Sequence, residues 1–472
     1  MKRVLIANRG EIAIRVAKAL NELGHVSVGI WTDNEPEAAH LEYCREWVHL
    51  EGTSNRETYL NVPKILELIK KYRIDAVHPG YGFLSENAEF ARTLEKNGVT
   101  FIGPNTKAIE AMGDKAISKQ WAEKAGVPVV PGSTGEVPTV EEAIKLCNSI
   151  GYPVLLKAVA GGGGKGMRPC YSESEVKTNF EAVQREALSS FGNAGLLVEK
   201  YVQNPHHIEV QILADKKGNV YHLFERECSI QRRHQKIIEE APSPFIGTDE
   251  ALRKNICETA VKLAQAVGYD SAGTVEFIMG DDRKFYFLEM NTRIQVEHPI
   301  TEEITGVDLV ANMIKSAFGD ALDFKSQSDI TIKGHAIECR ICAEDPISML
   351  PAPGKIAGFE TTFPQGIRFD HCLYQNFEIT SDFDPMIGKL IARGLTREVA
   401  IRKTLNALNG LLIDGLKTNI PLLKVIVAEE AFRAGHYTTH YISSVKPQEK
   451  VSVTESEVKL MEKVASMEMG AL

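Results

Sequence analysis

An apolar run that leads into an alternating polar segment restricts the possible folds of this chain more than any other stretch. The run Lys284–Leu288 predicts a strand, and from Glu289 to Glu297 every second residue is polar. If the strand continues, those polar side chains project from one face of a sheet. The upstream segment Ala272–Ile278 predicts a partner strand, with a turn at Asp281-Asp282. The sequence therefore predicts a strand pair with a charged face.

Pairing of these two strands would bring Glu276 close to Glu289 and Asn291. Two carboxylates and an amide are oxygen ligands of the type that suits Mg²⁺ or Mn²⁺ carrying phosphates. A salt-bridged sheet edge is the alternative, and for a single carboxylate it would be preferred. Because Arg293 and Glu297 follow directly, the whole array favours a metal–nucleotide site.

Length and charge limit the class of protein. A chain of 472 residues is too long for one core, so about two to four domains are expected. The net charge of −9 argues against a nucleic-acid-binding surface. No apolar run is long enough to span a membrane and no signal peptide is visible, so we expect a cytoplasmic protein. Cys339 and Cys342 form a C-x-x-C pair within a predicted strand, but no second pair completes a zinc site, which favours buried structural cysteines.

The N-terminal region alternates strands and helices. Arg3–Ala7 and Val26–Trp31 predict buried strands, and Glu11–Leu23 predicts an amphipathic helix between them. This alternation predicts a parallel sheet with helices on both faces, although no G-x-G-x-x-G fingerprint is present. The segment Pro79–Asn87 follows a strand's carboxyl end, where such sheets bind ligands, and its glycines would allow close approach to the backbone. A plain turn is the alternative.

The next region predicts a small α/β module between Pro131 and Val202, in which Thr139 can cap a helix at Val140–Ile150. Its strand Tyr152–Ala158 carries Lys157 and is followed by the tetraglycine Gly161–Gly164, a loop of backbone N–H groups suited to phosphate oxygens. A flexible linker is the alternative, and the spacing does not match a P-loop. We expect the module to act as a mobile lid over nucleotide.

Two further segments are candidates for ligand contact. Leu196–Val202 predicts a strand that can offer backbone groups to adenine, with Glu199 for its amino group or the ribose. Glu225–Lys236 is far richer in charge than its neighbours and is either a solvated loop or an anion site. Beyond them, residues 330–441 predict short strands with Pro/Gly turns, and Glu398–Leu412 predicts a helix.

Six motifs in this order resemble the ATP-grasp superfamily and, within it, the biotin carboxylases. They are Ala7–Ala13 (ANRGEIA), His78–Asn87 (HPGYGFLSEN), Met112–Lys115 (MGDK), Gly161–Gly164, Gln231–Lys236 (QRRHQK) and Glu289–Pro299 (EMNTRIQVEHP). The resemblance implies an α/β fold with an N-terminal parallel-sheet pre-ATP-grasp domain (1–112), an ATP-grasp domain (113–316) with a glycine-rich lid at about 131–202, a C-terminal mixed α+β domain (317–446) and a tail (447–472).

The resemblance also implies four overlapping sets of site residues. The ATP-binding set is Lys115, Lys157, Gly163, Gly164, Glu199, Lys200, Tyr201, Val202, His207, His234, Glu276 and Glu289. The metal ligands are Glu276, Glu289 and Asn291, and the bicarbonate-binding set is Lys236, Arg293, Gln295 and Val296. The catalytic set is Lys236, Arg293, Glu297 and Arg340, and the biotin-binding set is Arg340, Tyr81 and Gly82.

The reaction implied by the resemblance uses ATP and bicarbonate to make carboxyphosphate, whose CO₂ passes to N1′ of biotin on a carrier protein. Glu297 would be the general base, Arg340 would face the ureido oxygen of biotin, and two Mg²⁺ or Mn²⁺ ions would accompany ATP. The implied partners are a second copy of this chain, a biotin carboxyl carrier and a carboxyltransferase subunit. Lys165 lies in the lid where many relatives have Arg, which removes a bidentate phosphate contact.

Other interpretations share part of this residue set. Another ATP-grasp ligase, for carbamoyl phosphate or an amino acid, would keep the nucleotide and metal residues, and a non-catalytic nucleotide sensor would lose a metal carboxylate. Ser466–Met469 has the methionines of a biotin attachment site but Glu468 in place of the modified lysine, so we expect biotin on another chain. The final acceptor is expected to be a 2-oxo acid (pyruvate or 2-oxoglutarate), with acetyl-CoA or another acyl-CoA as the alternative.

Overall fold

A parallel sheet with a separate core on each face forms the N-terminal region. The structure is a computed structural model that describes residues 1–159, 166–191, 194–233 and 235–451. The sheet has the order β3-β2-β1-β4-β5. Val4 and Ile6 of β1 join one core with α1, and Leu5 joins another with α2 and α3, which confirms the predicted helices on both faces. The elements are β1 (Arg3–Ile6), α1 (Gly10–Glu22), β2 (Val26–Trp31), β3 (Glu46–His49), α2 (Val62–Tyr72), β4 (Ala76–His78), α3 (Ala88–Lys96), β5 (Thr100–Phe101) and α4 (Thr106–Gly113).

The predicted α/β module is an antiparallel sheet packed on two helices. Its strand order is β7-β6-β8, and its own core includes Leu156, Phe180 and Val198. Thr139 caps the helix at Val140 by accepting from the Glu142 N–H at 3.3 Å, as the sequence predicts. The elements are α5 (Lys115–Lys124), α6 (Val140–Ile150), β6 (Val154–Ala158), β7 (Met167–Cys170), α7 (Glu173–Phe191) and β8 (Leu196–Lys200).

A long, eight-stranded sheet in the order β13-β12-β9-β10-β11-β14-β19-β17 forms the centre of the molecule. The predicted hairpin is confirmed, because β12 and β13 pair antiparallel with Glu276 opposite Glu289. The elements of this region are β9 (His206–Ala214), β10 (Val220–Arg232), β11 (Gln235–Ala241), α8 (Glu250–Ala266), β12 (Ala272–Met279), β13 (Phe285–Asn291), α9 (His298–Thr305) and α10 (Leu309–Phe318).

The C-terminal region continues this sheet, since β14 pairs with β11 and β19 pairs with β14. Its core packs Ile341, Leu390 and Leu423 together. Its elements are β14 (His335–Cys342), β15 (Gly354–Lys355), β16 (Gly358–Thr361), β17 (Ile367–His371), β18 (Glu378–Ile379), β19 (Met386–Gly394), α11 (Arg397–Asn409), β20 (Leu411–Asp414), α12 (Ile420–Ala428), α13 (Glu430–Arg433) and α14 (Tyr441–Val445). Cys339 and Cys342 are buried, as predicted.

One sequence prediction about the charged face is wrong. The strand does not continue to Glu297, because β13 ends at Asn291 and a loop then leads into α9. The physical reason is a competing partner, since Glu86 of the N-terminal region accepts from the backbone N–H of Thr292 at 3.1 Å and removes it from the ladder.

The charged segment Glu225–Lys236 is not a solvated loop. It forms the end of β10 and the start of β11, and Glu225 and Arg226 are fully buried. Buried charges of this kind must be paired, so the segment belongs to the interior of a site or a core. No helix among the described residues is both long and apolar enough to cross a membrane.

Candidate active site

The hairpin of β12 and β13 carries a carboxylate pair. Glu276 and Glu289 are direct cross-strand partners, and Asn291 Nδ2 donates to Glu276 Oε1 at 2.9 Å. Burial and the adjacent charge of Glu276 raise the pKa of Glu289. The Glu289 side chain makes no hydrogen bond and no close ion pair with another described residue, although the charges of Lys115, His207 and Lys236 act to lower its pKa. A partly buried carboxylate without a protein partner, beside a second carboxylate and an amide oxygen, fits a hard divalent cation.

Lys236 contacts three carboxylates at once. Its Nζ donates to Glu209 Oε2 at 2.5 Å, to Glu276 Oε1 at 2.9 Å and to Glu297 Oε1 at 2.7 Å. Burial lowers the pKa of Lys236, but these carboxylates more than offset burial and raise it well above its usual value. The residue is therefore a permanent cation at the centre of an acidic cluster.

His207 adds a second cation to the same cluster. Its Nε2 lies 3.0 Å from Glu276 Oε2 and 3.7 Å from Glu209 Oε2. Burial lowers the pKa of His207, but the charge of Glu276 raises it to about 9. The ring is therefore protonated at neutral pH, which suits a group that contacts phosphate oxygens.

Arg226 is a further partner of the acidic cluster, and no sequence motif predicted a role for it. It is fully buried, and its Nε donates to Glu209 Oε1 at 2.6 Å while Nη2 donates to Gln295 Oε1. The guanidinium thus fixes one partner of Lys236 and one predicted bicarbonate residue together. The sequence did contain a signal for a role of Arg226, because it lies in a charged stretch of strand. Alternation places Arg226 on the face opposite to its two neighbours, so it can have partners of its own there.

The predicted bicarbonate residues converge although they do not share a strand. Arg293 Nη2 donates to Asn291 Oδ1 at 2.7 Å, and Gln295 Nε2 donates to Glu276 Oε1 at 2.8 Å. Arg293 Nε also donates to Glu86 Oε2 at 2.9 Å, so Glu86 orients Arg293 from another region of the chain. This second role of Glu86 was missed, because no local pattern connects two residues so far apart.

Glu297 lies between two cations. Its Oε1 accepts from Lys236, and its Oε2 accepts from Arg340 Nη2 at 3.0 Å. Arg340 Nε also donates to Glu239 Oε1 at 2.6 Å. Burial raises the pKa of Glu297, but Lys236 and Arg340 more than offset burial and hold it below its usual value. Glu297 is therefore ionised and able to accept a proton, although its own proton affinity is low.

A cavity of about 680 Å³ joins these groups to the N-terminal region. Its lining includes Tyr81 and Gly82 of the N-terminal region together with Glu289, Arg293 and Arg340. The cavity is large enough for a small organic substrate beside a polyatomic anion.

Several predicted nucleotide residues do not line this cavity. Lys157 Nζ is 3.6 Å from Glu199 Oε2, and Lys200 Nζ donates to the Gly151 carbonyl oxygen at 2.9 Å. The N–H groups of Lys200 and Tyr201 donate to Pro131 and Pro153, so strand β8 has little free donor capacity there. Lys115 is exposed at the start of α5, Val202 follows the end of β8, and Gly163, Gly164, Lys165 and His234 lie outside the described residues.

The carboxylate hairpin, the charged cavity and the α/β module beside it define an ATP-dependent ligase. Family models describe residues 1–109 as a biotin carboxylase N-terminal domain, 114–325 as a carbamoyl-phosphate synthase L chain ATP-binding domain and 338–444 as a biotin carboxylase C-terminal domain. This chain belongs to the biotin carboxylase family.

Named relatives agree with this assignment along nearly the whole chain. One subunit of the pyruvate carboxylase of Methanothermobacter thermautotrophicus is 49% identical over 94% of this chain and 90% of its own. The 2-oxoglutarate carboxylase small subunit of Hydrogenobacter thermophilus is 49% identical over 93% of each chain. A crystal structure of the biotin carboxylase domain dimer of the latter enzyme, with MgADP, ADP and bicarbonate, has a TM-score of 0.85 and 48% identity, covering 95% of this chain and 98% of that one.

Proposed function

We propose that this chain uses ATP and bicarbonate to carboxylate N1′ of biotin held on a separate carrier protein. The observation that carries the proposal is the convergence of Lys236, Arg293 and Glu297 on one cavity that Tyr81 and Arg340 also line. This arrangement provides cations for a small oxyanion, a carboxylate base beside them and a separate position for a second substrate.

Glu276, Glu289 and Asn291 would hold Mg²⁺ or Mn²⁺ together with the phosphates of ATP. The unpaired state of Glu289 supports this assignment, because a bound cation would relieve the repulsion between it and Glu276. The metal would neutralise charge on the transferred phosphoryl group. His207, Lys115 and Lys157 would add fixed positive charge around the phosphates, which phosphoryl transfer needs more than covalent help.

Lys236 and Arg293 would bind bicarbonate, with Gln295 and the backbone of Val296 completing the site. Bicarbonate is a poor acid, and its proton becomes easier to remove where cations stabilise the resulting carbonate. Glu297 would take that proton, and a bicarbonate oxygen would attack the γ-phosphorus as the bond to ADP breaks. The products are ADP and carboxyphosphate, and carboxyphosphate then releases CO₂ and phosphate.

Arg340 would face the ureido oxygen of biotin, with Tyr81 and Gly82 beside the bicycle. The phosphate released from carboxyphosphate would take the N1′ proton as N1′ forms a bond to CO₂. Loss of that proton places negative charge on the ureido oxygen, and a guanidinium stabilises that charge at every physiological pH. The contacts of Arg340 with Glu239 and Glu297 support this role, because they hold its guanidinium beside the proposed base. The residues around Pro131–Val202 would act as a lid that closes over ATP.

The final acceptor is proposed to be a 2-oxo acid, pyruvate or 2-oxoglutarate. The names of the two relatives, one from a pyruvate carboxylase and one from a 2-oxoglutarate carboxylase, support this choice. Both relatives are named as single subunits, which supports a carrier and a carboxyltransferase on other chains, and the related domain dimer supports a homodimer. Assay of the reconstituted subunits with pyruvate, 2-oxoglutarate and acetyl-CoA would separate these acceptors.

ADP release by the purified chain tests the carboxylation step. With Mg²⁺, ATP and free biotin, ADP release should depend on bicarbonate and rise with biotin concentration. The control is the same reaction in buffer purged of CO₂. ADP release that does not change when bicarbonate is removed would contradict the proposal.

A further inference from the structure

Lys389 is a buried lysine for which the proposed reaction has no use. It lies on β19 and has no solvent-exposed surface. Its Nζ donates to the carbonyl oxygen of Val296 at 2.9 Å and lies 3.1 Å from Glu11 Oε2. Val296 belongs to the loop of predicted bicarbonate residues, and Glu11 belongs to the first turn of α1. One ammonium group therefore connects the C-terminal region, the bicarbonate loop and the N-terminal region.

Glu11 connects Lys389 to Tyr81, one of the predicted biotin-binding residues. The phenol of Tyr81 donates to Glu11 Oε1, and Glu11 and Tyr81 both line the cavity. On the other side, Lys389 is the direct cross-strand partner of Arg340, so the two cations project from the same face. A continuous polar chain thus runs from the Val296 carbonyl through Lys389 and Glu11 to the Tyr81 hydroxyl.

Stability alone does not explain this arrangement. A buried ion pair contributes little net stability compared with apolar side chains of the same volume, because both groups lose their hydration. Lys389 also faces Glu338, whose two carboxylate oxygens have no hydrogen-bond partner among the described residues. The carboxylate that Lys389 contacts is instead Glu11, and both of its close contacts, Glu11 and the Val296 carbonyl, lead to predicted substrate residues.

We propose that Lys389 is a positioning residue that couples the bicarbonate subsite to the biotin subsite. By holding the Val296 carbonyl, it sets the orientation of the peptide groups that contact bicarbonate. By holding Glu11, it sets the Tyr81 hydroxyl at the biotin side. The inference rests on the proposed function, because it takes Val296 and Tyr81 as contacts of those two substrates.

Steady-state kinetics of K389M test the coupling. Methionine replaces the aliphatic part of the side chain, lacks the ammonium group and so removes both contacts. Hydrogen bonds from a charged donor are typically worth enough for about a 10-fold effect each. The KM for bicarbonate and the KM for biotin should therefore each rise about 10-fold, while the KM for ATP stays within about twofold of the wild type. The matched control is K403M, since Lys403 also donates to a backbone carbonyl, that of Arg393 at 3.0 Å, but lies outside the cavity lining.

Two further variants separate positioning from folding. E11Q should raise the KM for biotin and leave the KM for bicarbonate near the wild-type value, because the Val296 contact remains. The double variant K389M/E11Q removes both members of the Lys389–Glu11 pair, so it serves if K389M does not fold, and its KM for bicarbonate should again rise about 10-fold.

Equal changes in all three KM values, or no change in any of them, would overturn the coupling role. A wild-type enzyme without bicarbonate-dependent ADP release would instead refute the proposed function, so the two failures are distinct.

Discussion

Two consecutive glutamates of β11 lie on opposite faces of the long sheet, and their surroundings differ. On one face, Glu240 Oε2 accepts from His335 Nε2 at 2.6 Å and from Arg397 Nε at 2.7 Å. Its Oε1 accepts from Arg397 and from the hydroxyl of Tyr437. Burial raises the pKa of Glu240, but His335 and Arg397 more than offset burial and lower it to about 2. Every acceptor position of this carboxylate is matched within the protein.

On the other face, Glu239 is incompletely matched. Its Oε1 accepts from Arg340, but its Oε2 has no hydrogen-bond partner among the described residues. Burial raises the pKa of Glu239 to about 7, although Arg340 opposes that effect. Glu239 shares Arg340 with Glu297, and Glu297 in turn shares the ammonium of Lys236 with Glu209 and Glu276. The Glu289 side chain beside Glu276 makes no hydrogen bond to a described residue. A carboxylate whose acceptor positions are all matched thus indicates structure, and crowded carboxylates with unmatched oxygens indicate a place for ligands.

The largest effect on turnover is expected for Glu297→Gln, which tests whether the crowded carboxylates act in catalysis. The amide cannot accept the bicarbonate proton, so kcat should fall by about 10²–10⁴-fold with the KM for ATP nearly unchanged. Stability should change little, because Lys236 keeps Glu209 and Glu276 as partners. Bicarbonate-dependent ADP release and urea unfolding of the same preparation measure both quantities. Near-normal turnover would show that Glu297 is not the base.

Glu240→Gln should have the opposite effect, a loss of stability without a loss of kcat. Removing this charge breaks a buried ionic network and is expected to destabilise the fold by about 3–5 kcal/mol, while the protein that remains folded keeps its kcat. Because the pKa of Glu240 is lower in the folded state, its contribution is present above the usual value of 4.5 and is lost as the pH falls toward 2. The stability gap between wild type and variant should therefore close in acid. A constant gap would mean that packing, not charge, is responsible.

Glu289→Gln is expected to have a smaller effect, on the Mg²⁺ concentration that turnover requires. Loss of one charged ligand should raise the Mg²⁺ concentration needed for half-maximal turnover by about 10-fold. Thermal stability should stay the same or rise, because the variant removes a carboxylate whose pKa is raised by burial and by Glu276. Turnover measured across a Mg²⁺ titration is the test. An unchanged titration together with a lower Tm would make Glu289 structural.

Local patterns in the sequence predicted the elements that bury one periodic apolar face. The N-terminal alternation, the helix at Val140–Ile150 with its Thr139 cap, and the β12–β13 hairpin all follow from periodicity and capping. The placement of Glu276 beside Glu289 followed from strand pairing alone, because side chains of a hairpin alternate with a period of two.

Long-range partners were not predictable in the same way. The N–H of Thr292, just beyond β13, donates to Glu86, and the Val296 carbonyl accepts from Lys389, each partner far away in the sequence. Alternation also fails near the β10–β11 turn, where the register shifts between Glu227 and Gln231. Lys236 and Glu239 are three residues apart, an odd spacing, and yet both belong to the charged network around Glu297.

Transfer of labelled oxygen from bicarbonate to phosphate tests the central claim most directly. If the crowded face of the sheet holds bicarbonate against ATP, a bicarbonate oxygen attacks the γ-phosphorus and stays on phosphorus when CO₂ leaves. Turnover with bicarbonate labelled with heavy oxygen should therefore release inorganic phosphate that carries the label, in proportion to the ADP formed. Mass spectrometry of the phosphate is the measurement. Unlabelled phosphate would show that water is the nucleophile and would contradict the account of this face.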